Sequence, residues 1–303
     1  MDSLASFSPA LLEEHIRTVE LARRQRETGP ESEKVFRYGA HVGSRIRVFS
    51  SLDRAMGEAR AHIASREKGG QSVADGSLIL ASTLSLSKGR FSRSWHAPPG
   101  GLWGCLILAD TFLDESRALL PLIPGVAACE ALHEAGAAAA IRWVNDVLVQ
   151  GKKQGGFLIE TVRSPIHGED YHLLGFGLNI NNDSFPSELR ETAVSLAQVL
   201  GHPVDLSRFA LSFLAKLRWY VGLLLHEEQR RLMDTGGEEH PLVARWKELS
   251  DSVGRRVLFG YDVMETPQYE ALVTGVGRDG ALLLRHDDGS TSVEHSGEIR
   301  YLS

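Results

Sequence analysis

The segment from Leu102 to Ala109, with the sequence LWGCLILA, constrains the fold more strongly than any other part of the chain. A strand with one face in water alternates apolar and polar residues, whereas this segment is apolar at nearly every position. We therefore predict a strand that is buried on both faces of a sheet. Further strands are predicted at 46–49, 77–84, 140–144, 155–162 and 171–180, and helices at 51–66, 119–136, 205–225 and 240–250.

The composition of the chain changes after Gly254. From there to the end, short apolar stretches are separated by Asp-Gly turns, a pattern that is typical of a small all-β barrel. We therefore predict one domain at 45–250 and a second at 254–303. The remaining residues, 1–44, are interpreted as an N-terminal extension.

The N-terminal extension is polar throughout. A helix is predicted to begin at Pro9, because proline suits the first helical position and Ser8 can cap the helix. Residues 23–34 contain almost no apolar side chain and are interpreted as a loop or linker. Residues 236–239, two glycines and two glutamates, are also interpreted as a loop.

The overall charge is mildly acidic, because 33 Lys and Arg residues face 39 Asp and Glu residues, for a net charge of −6. Nucleic-acid-binding proteins usually carry a basic surface, so this balance argues against a general nucleic-acid binder. The two cysteines, Cys105 and Cys129, lie in apolar surroundings and are predicted to be buried thiols. The N-terminus lacks the plan of a signal peptide, and no apolar run reaches the ~20 residues that cross a bilayer. We therefore expect a cytoplasmic protein without a membrane partner.

The first of three clusters that can do chemistry is the loop 87–95, SKGRFSRSW. Its cations Lys88, Arg90 and Arg93 follow a predicted strand directly. Cationic side chains together with accessible backbone N–H groups suit a phosphate or a carboxylate. The turn at 96–103, HAPPGGLW, contains glycines that would let the backbone approach a ligand closely. Taken alone, the loop is more often a solvated surface loop than a binding site.

The second cluster lies where one predicted strand ends and the next begins. Asn145 and Asp146 follow a strand, and Lys152 and Lys153 precede the pair Gly155-Gly156. An Asn-Asp pair alone is usually turn chemistry. A carboxylate that faces lysines beside two glycines could instead hold Mg²⁺ and a nucleotide phosphate.

The third cluster is the strand segment that contains Gly175, Gly177 and Asn179. Glycines inside a strand fit a close approach by a ligand or by another backbone. Asn179 could supply one polar group in an apolar pocket, although core packing alone would also explain the glycines.

In their order along the chain, these clusters resemble the biotin protein ligases, the biotin–[acetyl-CoA-carboxylase] ligase family. The family's Arg/Lys-Trp-Pro-Asn-Asp segment is similar to 142–146, and its Lys-x-x-Gly-Ile-Leu-x-Glu strand is similar to 153–160. Its Gly-x-Gly-x-Asn strand matches 175–179, and its Trp-x-x-Pro-x-Gly-x-Leu turn is similar to 95–102. The resemblance covers roughly 45–303.

The resemblance implies an α+β protein. Its catalytic domain would be like that of class II aminoacyl-tRNA synthetases, with a mixed sheet flanked by helices, and would be followed by a C-terminal SH3-like β-barrel. It also implies a two-step reaction with ATP and biotin as substrates and Mg²⁺ as the metal. Biotin and ATP would give biotinyl-5′-AMP, and the biotinyl group would then pass to a lysine of a biotin carboxyl carrier protein.

The resemblance also carries residue roles. Lys153 and Arg90 would be catalytic, acting on the biotin carboxyl and the α-phosphate, and Asp146 would hold the metal. The residues implied to bind substrate or nucleotide are Ser50, Ser51, Lys88, Gly89, Arg93, Trp95, Asn145, Gly156 and Asn179.

The chain departs from the family pattern on the side that recognises the acyl acid. The glycine- and arginine-rich loop has Ser87 in place of a glycine and Lys88 in place of an arginine, a change that removes a bidentate donor. Leu84 replaces a glutamine, and Leu52 replaces an asparagine. Two alternatives therefore stay open: a ligase for a related acid such as lipoate or octanoate, and a non-catalytic paralogue that only binds ligand. The lipoate ligase hallmark, Arg-Arg-x-Ser-Gly-Gly-Gly, is absent from this sequence.

Some members of this family also bind DNA through an N-terminal winged helix. The extension 1–44 is shorter than such a module and shows no basic recognition helix, so we expect no winged helix and no nucleic-acid partner. A homodimer is left open.

Overall fold

The computed structural model describes Leu4, residues 7–233 and residues 239–302. Its α-helices are α1 (Pro9–His15), α2 (Leu21–Thr28), α3 (Glu31–Tyr38), α4 (Ala55–Lys68), α5 (Asp114–Leu119), α6 (Ile123–Glu134), α7 (Leu196–Leu200), α8 (Leu206–Leu232) and α9 (Pro241–Leu249). Its strands are β1 (Ile46–Phe49), β2 (Ser77–Ala81), β3 (Leu102–Ala109), β4 (Ala139–Arg142), β5 (Asp146–Val149), β6 (Lys152–Arg163), β7 (Asp170–Leu178), β8 (Arg256–Gly260), β9 (Tyr269–Val276), β10 (Leu282–Arg285), β11 (Thr291–Glu294) and β12 (Glu298–Tyr301). Residues 236–238 of the predicted loop lie outside the described residues.

Strands β1 to β7 form one mixed sheet in the order β1-β2-β3-β7-β6-β5-β4. β1 and β2 are parallel, and the other neighbouring strands of this sheet are antiparallel. β3 lies between β2 and β7 and is buried along almost its whole length. The prediction of a strand buried on both faces is therefore confirmed, because each face of the sheet is covered by its own hydrophobic layer.

One face of the sheet packs against α6 and α8. The ring of Phe176 on β7 meets the ring of Phe213 on α8 edge to face, with 5.2 Å between the ring centres. The other face packs against α4, whose Ala59 and Ile63 lie in one cluster with Ile79 and Cys105 of the sheet. Because α4 covers only part of that face, the remainder is available for a site.

Two of the general predictions can be compared with the structure. Cys105 and Cys129 are free and buried, which confirms the prediction of reduced core thiols. Burial raises the pKa of the Cys129 thiol to about 12, so this thiol stays protonated at neutral pH. Among the described residues, no helix combines the length and the apolar character that a membrane span requires.

The interpretation of 23–34 as a loop is wrong. α2 and α3 cover most of this stretch, and only Gly29 and Pro30 separate them. Both helices pack near α8, and their buried side chains include Arg24, Val35 and Phe36. A hydrophobic pattern could not find α2, because its buried residue is an arginine, which pairs both with the nearby Glu20 and with the distant Glu130.

These partners form a buried ion network between the N-terminal helices and the core. Arg24 donates to Glu20 at 2.9 Å and to Glu130 of α6 at 2.5 Å. Lys216 of α8 donates to Glu20 at 3.0 Å and to Glu134 at 2.6 Å. The side chains of Glu20 and Lys216 are both fully shielded from solvent. Since a buried charge without a partner is very unfavourable, the network ties residues 9–38 to the sheet domain.

Strands β8 to β12 form a separate antiparallel sheet in the order β11-β10-β9-β8-β12. This arrangement agrees with the predicted all-β C-terminal part. The indole of Trp143, just after β4, donates to the carbonyl of Gly280 at 3.1 Å. The hydroxyl of Ser250 donates to the carbonyl of Ile141 at 2.9 Å. The second sheet therefore lies against the edge of the first one that carries β4 and β5.

The buried ion network generates a stability prediction. Replacing Lys216 by alanine leaves Glu20 without its lysine partner in the core, so the free energy of unfolding should fall by about 3–5 kcal/mol. Denaturant unfolding measures this change. Lys247→Ala removes a partly exposed pair with Glu239 and should cost about 1 kcal/mol or less. Equal effects of the two substitutions would contradict a structural role for the buried network.

The same network predicts a dependence of stability on acid. Burial opposes ionisation of Glu130, but the Arg24 guanidinium lowers the pKa of this carboxyl to about 2. Between its ordinary pKa and that value, the unfolded chain binds a proton that the folded chain does not bind. The free energy of unfolding should therefore fall as the pH falls from about 5 towards 2. In Glu130→Gln, urea unfolding at several pH values should show a shallower fall in the same range.

Candidate active site

Direct pairing across the sheet places one row of residues on the face that α4 covers only in part. Trp103 is opposite Gly177, Gly177 is opposite Gly156, and Gly156 is opposite Asp146. Residues that are directly opposite in an antiparallel pair project to the same face. The two glycines therefore leave a shallow depression between an indole on one side and a carboxylate on the other.

The side chain of Trp95 lies over this depression. A β-carbon added at Gly177 would be 2.7 Å from Trp95 Nε1, and one added at Gly156 would be 3.1 Å from the same ring. Trp95 Nε1 is shielded from solvent and has no hydrogen-bond partner among the described residues. The glycines are thus needed for close contact between the sheet and the indole, and the ring covers the space directly above them.

A charged triad lies at the polar end of the row. Lys153 Nζ is 2.6 Å from Asp146 Oδ1, and Arg142 donates to Asp146 Oδ2 at 2.6 Å. Lys153 Nζ is also 5.3 Å from the centre of the Trp95 ring. Burial would raise the pKa of Asp146, but Lys153 and Arg142 lower it to about 2. Asp146 is therefore ionised at neutral pH and fixes the position of the Lys153 ammonium.

Asn145 joins this triad to the loop 87–95. Its Nδ2 donates to the carbonyl of Phe157 at 2.6 Å, and its Oδ1 accepts from Arg90 at 3.4 Å. Arg90 also donates to the carbonyl of Gly297 at 2.7 Å. Burial lowers the pKa of Arg90, although Glu298 and Asp146 oppose that effect. The Arg90 guanidinium thus lies between the first sheet and the second.

The other end of the loop is held by the second sheet. Arg93 donates to both carboxylate oxygens of Glu298, at 3.1 and 2.8 Å, and forms an ion pair with Asp262. Phe91 has a φ of 54°, a left-handed conformation that is unusual for a bulky residue. The guanidinium groups of Arg90 and Arg93 both lie within 5.5 Å of the Phe91 ring centre. We call this set of contacts between the loop and the second sheet the loop clasp.

The structure therefore brings together several residues that the sequence singled out. Those gathered around the depression and the loop clasp are Arg90, Arg93, Trp95, Asn145, Asp146, Lys153 and Gly156. The backbone amide of Gly89 donates to the carbonyl of Arg93 at 2.8 Å and closes the loop. The side chain of Lys88 is exposed on the same loop.

Three predicted binding residues lie outside this group. Ser50 and Ser51 are exposed after the end of β1. Asn179 is buried just after β7, where its Oδ1 accepts from Asn182 at 3.0 Å. The backbone of Asn179 also accepts from the Gln154 amide at 2.8 Å. In this structure the Asn179 side chain therefore belongs to a buried amide cluster.

Sequence reasoning missed three side chains at the site. Arg142 was available from its spacing, because it pairs with Asp146 four residues later across a tight turn. Asp262 and Glu298 carried no such signal. Asp262 and Glu298 meet Arg93 across separations of 169 and 205 residues. Contacts of that range depend on how the two sheets dock and leave no local pattern.

The chain is similar to proteins of known family. Residues 66–181 match the family model described as the biotin/lipoate A/B protein ligase family. The biotin–[acetyl-CoA-carboxylase] ligase of Paracoccus denitrificans is 30% identical over 219 residues, which cover 70% of this chain and 85% of that protein. The bifunctional ligase/repressor BirA of Bacillus subtilis is 29% identical over 239 residues. That match covers 74% of this chain and 66% of BirA, a little under two thirds of its length.

The fold has a counterpart among solved structures. The biotin protein ligase from Aquifex aeolicus, in complex with biotin and ATP, superposes with a TM-score of 0.65 at 20% sequence identity. The superposition covers 85% of this chain and 98% of that one. At this identity the likeness concerns the fold, which includes a mixed sheet with helices and a second antiparallel sheet.

The loop clasp generates a prediction about accessibility. In a variant with Asp262→Asn and Glu298→Gln, the loop 87–95 should open more often, because both anions that hold Arg93 are removed. Tryptic cleavage in this loop, followed by mass spectrometry, should accelerate several-fold. The thermal midpoint should change little, since partly exposed ion pairs contribute about 1 kcal/mol or less. Asp287→Asn, which removes an exposed partner of Arg256 in the same sheet, is the matched control. A loop cleaved at the same rate in all three proteins would contradict the clasp.

Proposed function

The chain belongs to the biotin/lipoate A/B protein ligase family, and on that premise we propose that it is a biotin protein ligase. It would join biotin to AMP from ATP and then transfer the biotinyl group to a lysine of a biotin carboxyl carrier protein. The observation that carries the proposal is the Lys153 ammonium. It is fixed by Asp146 at the end of a glycine-floored depression, within a segment that resembles the family motif.

In the first step, a carboxylate oxygen of biotin would attack the α-phosphorus of ATP. A C–O–P linkage forms, the bond from the α-phosphorus to the bridging oxygen breaks, and pyrophosphate leaves. Two anions must approach each other, so fixed cations are needed where negative charge accumulates. Lys153 lies beside the Trp95 ring and Arg90 is bonded to Asn145, and we assign this role to these two cations.

In the second step, the amine of the carrier lysine would attack the carbonyl carbon of the biotinyl group. A C–N bond forms, the C–O bond to AMP breaks, and the amine gives up a proton to water. The mixed anhydride is sensitive to hydrolysis until then, so the site has to exclude water. The loop 87–95 is suited to this task, because it lies over the site and is held by the second sheet through Arg93.

Asp146 has a different role in this proposal from the one that the sequence suggested. Both of its carboxylate oxygens are engaged, one by Lys153 and one by Arg142. This arrangement does not fit a magnesium ion that is bound permanently by Asp146. We therefore treat magnesium as part of the substrate, carried in by ATP, and we treat Asp146 as the group that positions Lys153. A direct metal contact by Asp146 stays a prediction.

The remaining binding roles follow from position. Gly89 and Lys88 would offer an amide and an ammonium to the phosphates from the loop. Trp95 and Gly156 would line the subsite for the acyl chain, and Asn145 would hold Arg90 near the α-phosphate. The binding roles of Ser50, Ser51 and Asn179 stay predictions that require movement of the segments that carry them.

We also propose a domain division and a finer fold. Residues 45–250 would be the catalytic domain, of the kind found in class II aminoacyl-tRNA synthetases, and 254–303 an SH3-like barrel. The support is the break between the two sheets just after α9. Residues 1–44 would be an extension that is held by the buried ion network.

The function is tested by pyrophosphate exchange into ATP, which should depend on added biotin. Lys153→Ala should reduce the exchange rate by about 10²–10³-fold, because a fixed cation is lost from the reacting phosphate. Lys152→Ala is the matched control, since Lys152 Nζ donates to the carbonyl of Arg190 on another side of the hairpin. It should retain exchange close to that of the unmodified chain.

Transfer is tested separately with labelled biotin and a purified carrier domain. The unmodified chain should label the carrier on one lysine, and Lys153→Ala should not. If biotin, lipoate and octanoate all failed to support exchange, the proposal would be overturned. Binding of biotin in a calorimeter without formation of an adenylate would favour a non-catalytic paralogue instead.

A further inference from the structure

We propose that the chain binds a divalent transition-metal ion, of the class of Zn²⁺, between the end of α4 and the turn that joins β6 to β7. The side chains that would hold the ion are Glu67, His167 and Glu169. The turn follows the end of β6 that is remote from Lys153 and Asp146. The inference therefore concerns a second site and does not depend on the proposed function.

The turn after β6 brings two of the three side chains together. The backbone amide of Ser164 donates to the carbonyl of Glu169 at 2.7 Å, and the amide of Glu169 donates to the Ser164 hydroxyl at 2.9 Å. Between them, Gly168 has a φ of 72°, a left-handed conformation that favours glycine. The closed turn thus holds His167 and Glu169 two residues apart at the tip of a hairpin.

The third side chain reaches this turn from the last turn of α4. The carboxylate oxygens of Glu67 accept from the backbone amides of Ile166 and His167, at 3.2 and 3.3 Å. Glu67 Oε1 is 3.8 Å from His167 Nδ1. One donor atom from each of Glu67, His167 and Glu169 lies within 4.8 Å of the other two. Three possible ligands from two separate elements therefore converge.

The buried charge of Glu67 is the observation that points to a cation. Its side chain is fully shielded from solvent, and among the described residues no lysine or arginine forms an ion pair with it. Burial would raise the pKa of Glu67, but hydrogen bonds from Ser164 and from the amides of Ile166 and His167 lower it. Glu67 is therefore ionised at neutral pH. Buried charges are usually paired or bound to a metal, and a divalent ion would supply the missing countercharge.

The carboxylate of Glu169 is held by groups from outside the three. The hydroxyl of Tyr171 donates to Glu169 Oε2 at 2.7 Å, and the hydroxyl of Ser72 donates to Glu169 Oε1 at 3.4 Å. Burial and the bond to Glu169 raise the pKa of Tyr171 to about 12, so this hydroxyl keeps its proton at neutral pH. Carboxylates that bind metals are commonly oriented by hydrogen bonds of this kind.

The donor set selects the class of ion. One imidazole with two carboxylates suits Zn²⁺ and its neighbours among the transition metals, whereas Mg²⁺ and Ca²⁺ prefer oxygen ligands. Zinc–ligand bonds of ~2.1 Å place tetrahedral donors about 3.4 Å apart, so the three donor atoms have to close by up to about 1.4 Å. His167 and Glu169 are exposed and can rotate to do so. A water molecule would fill the fourth position.

The experiment is calorimetric titration of the full chain with zinc chloride after treatment with a chelator. We expect the chain to bind zinc at this site, and its thermal midpoint to rise with zinc and fall back when chelator is added. His167→Ala removes the nitrogen ligand and should raise the Kd for zinc at least 10-fold. Glu67→Gln keeps the size of the side chain, removes its charge and should have a similar effect.

The matched control is His295→Ala. His295 Nδ1 is 3.5 Å from Asp279 Oδ2, so this is another histidine–carboxylate pair, but both of its side chains are exposed. The control should bind zinc like the unmodified chain. Cobalt in place of zinc gives a second readout, because the visible absorption of tetrahedral cobalt should appear in the unmodified chain and be lost in His167→Ala.

The outcomes are separate from those that test the ligase. An unmodified chain that binds no zinc would overturn the inference. An equal Kd for the unmodified chain and His167→Ala would also overturn it, and so would an equal loss in His295→Ala, which indicates scattered surface binding. Because His167 is exposed on the turn, His167→Ala decides the test if Glu67→Gln does not fold. None of these results bears on biotin-dependent exchange.

Discussion

Burial of the central strands on both faces is the constraint on which the site depends. β3 and β7 lie in the middle of the first sheet, with α6 and α8 on one face and α4 on part of the other. A sheet that is packed on both sides has no free surface for a ligand. A depression can then be made only where side chains are removed. Gly156 and Gly177 do this on two adjacent strands, beyond the part of the face that α4 covers, and there the Trp95 ring comes close to the sheet.

The local charge at this position differs from the net charge of the chain. The chain has a net charge of −6, yet Arg90, Arg142 and Lys153 converge beside one depression. Asp146 makes this possible, because its ionised carboxylate offsets part of the repulsion between Lys153 and Arg142. An acidic protein can thus gather three cations in one place, while its total charge still disfavours long-range attraction to nucleic acid.

The second sheet contributes to the site through its contacts with the loop 87–95. Arg90 donates to the carbonyl of Gly297, and Arg93 pairs with Glu298 and Asp262. The Trp143 indole, at the β4 edge of the first sheet, also bonds to the carbonyl of Gly280 in the C-terminal part. Closure of the loop is therefore coupled to the docking of the two sheets. This explains why the loop 87–95 contains two arginines whose bonds reach the C-terminal part of the chain.

Much of this protein could be predicted from local patterns. The uniformly apolar β3, the Asp-Gly turns after Gly254 and the order of the three chemical clusters each depend on neighbouring residues. The helix α2 could not be found in this way, because its buried residue Arg24 is paired with Glu130, which lies 106 residues further along the chain. Hydrophobic periodicity registers only apolar burial, and a buried ion pair is invisible to it.

The amino-acid sequence by itself determined the class of strand at the centre of the first sheet, the all-β character of the C-terminal part and the residue types of the three chemical clusters, because these follow from composition and spacing. Only the tertiary structure decided that Asp146 is engaged by two cations and that Asn179 is turned into a buried amide cluster. These facts depend on which side chains meet across strands and between the sheets, and such meetings are set by packing over long separations rather than by any local pattern.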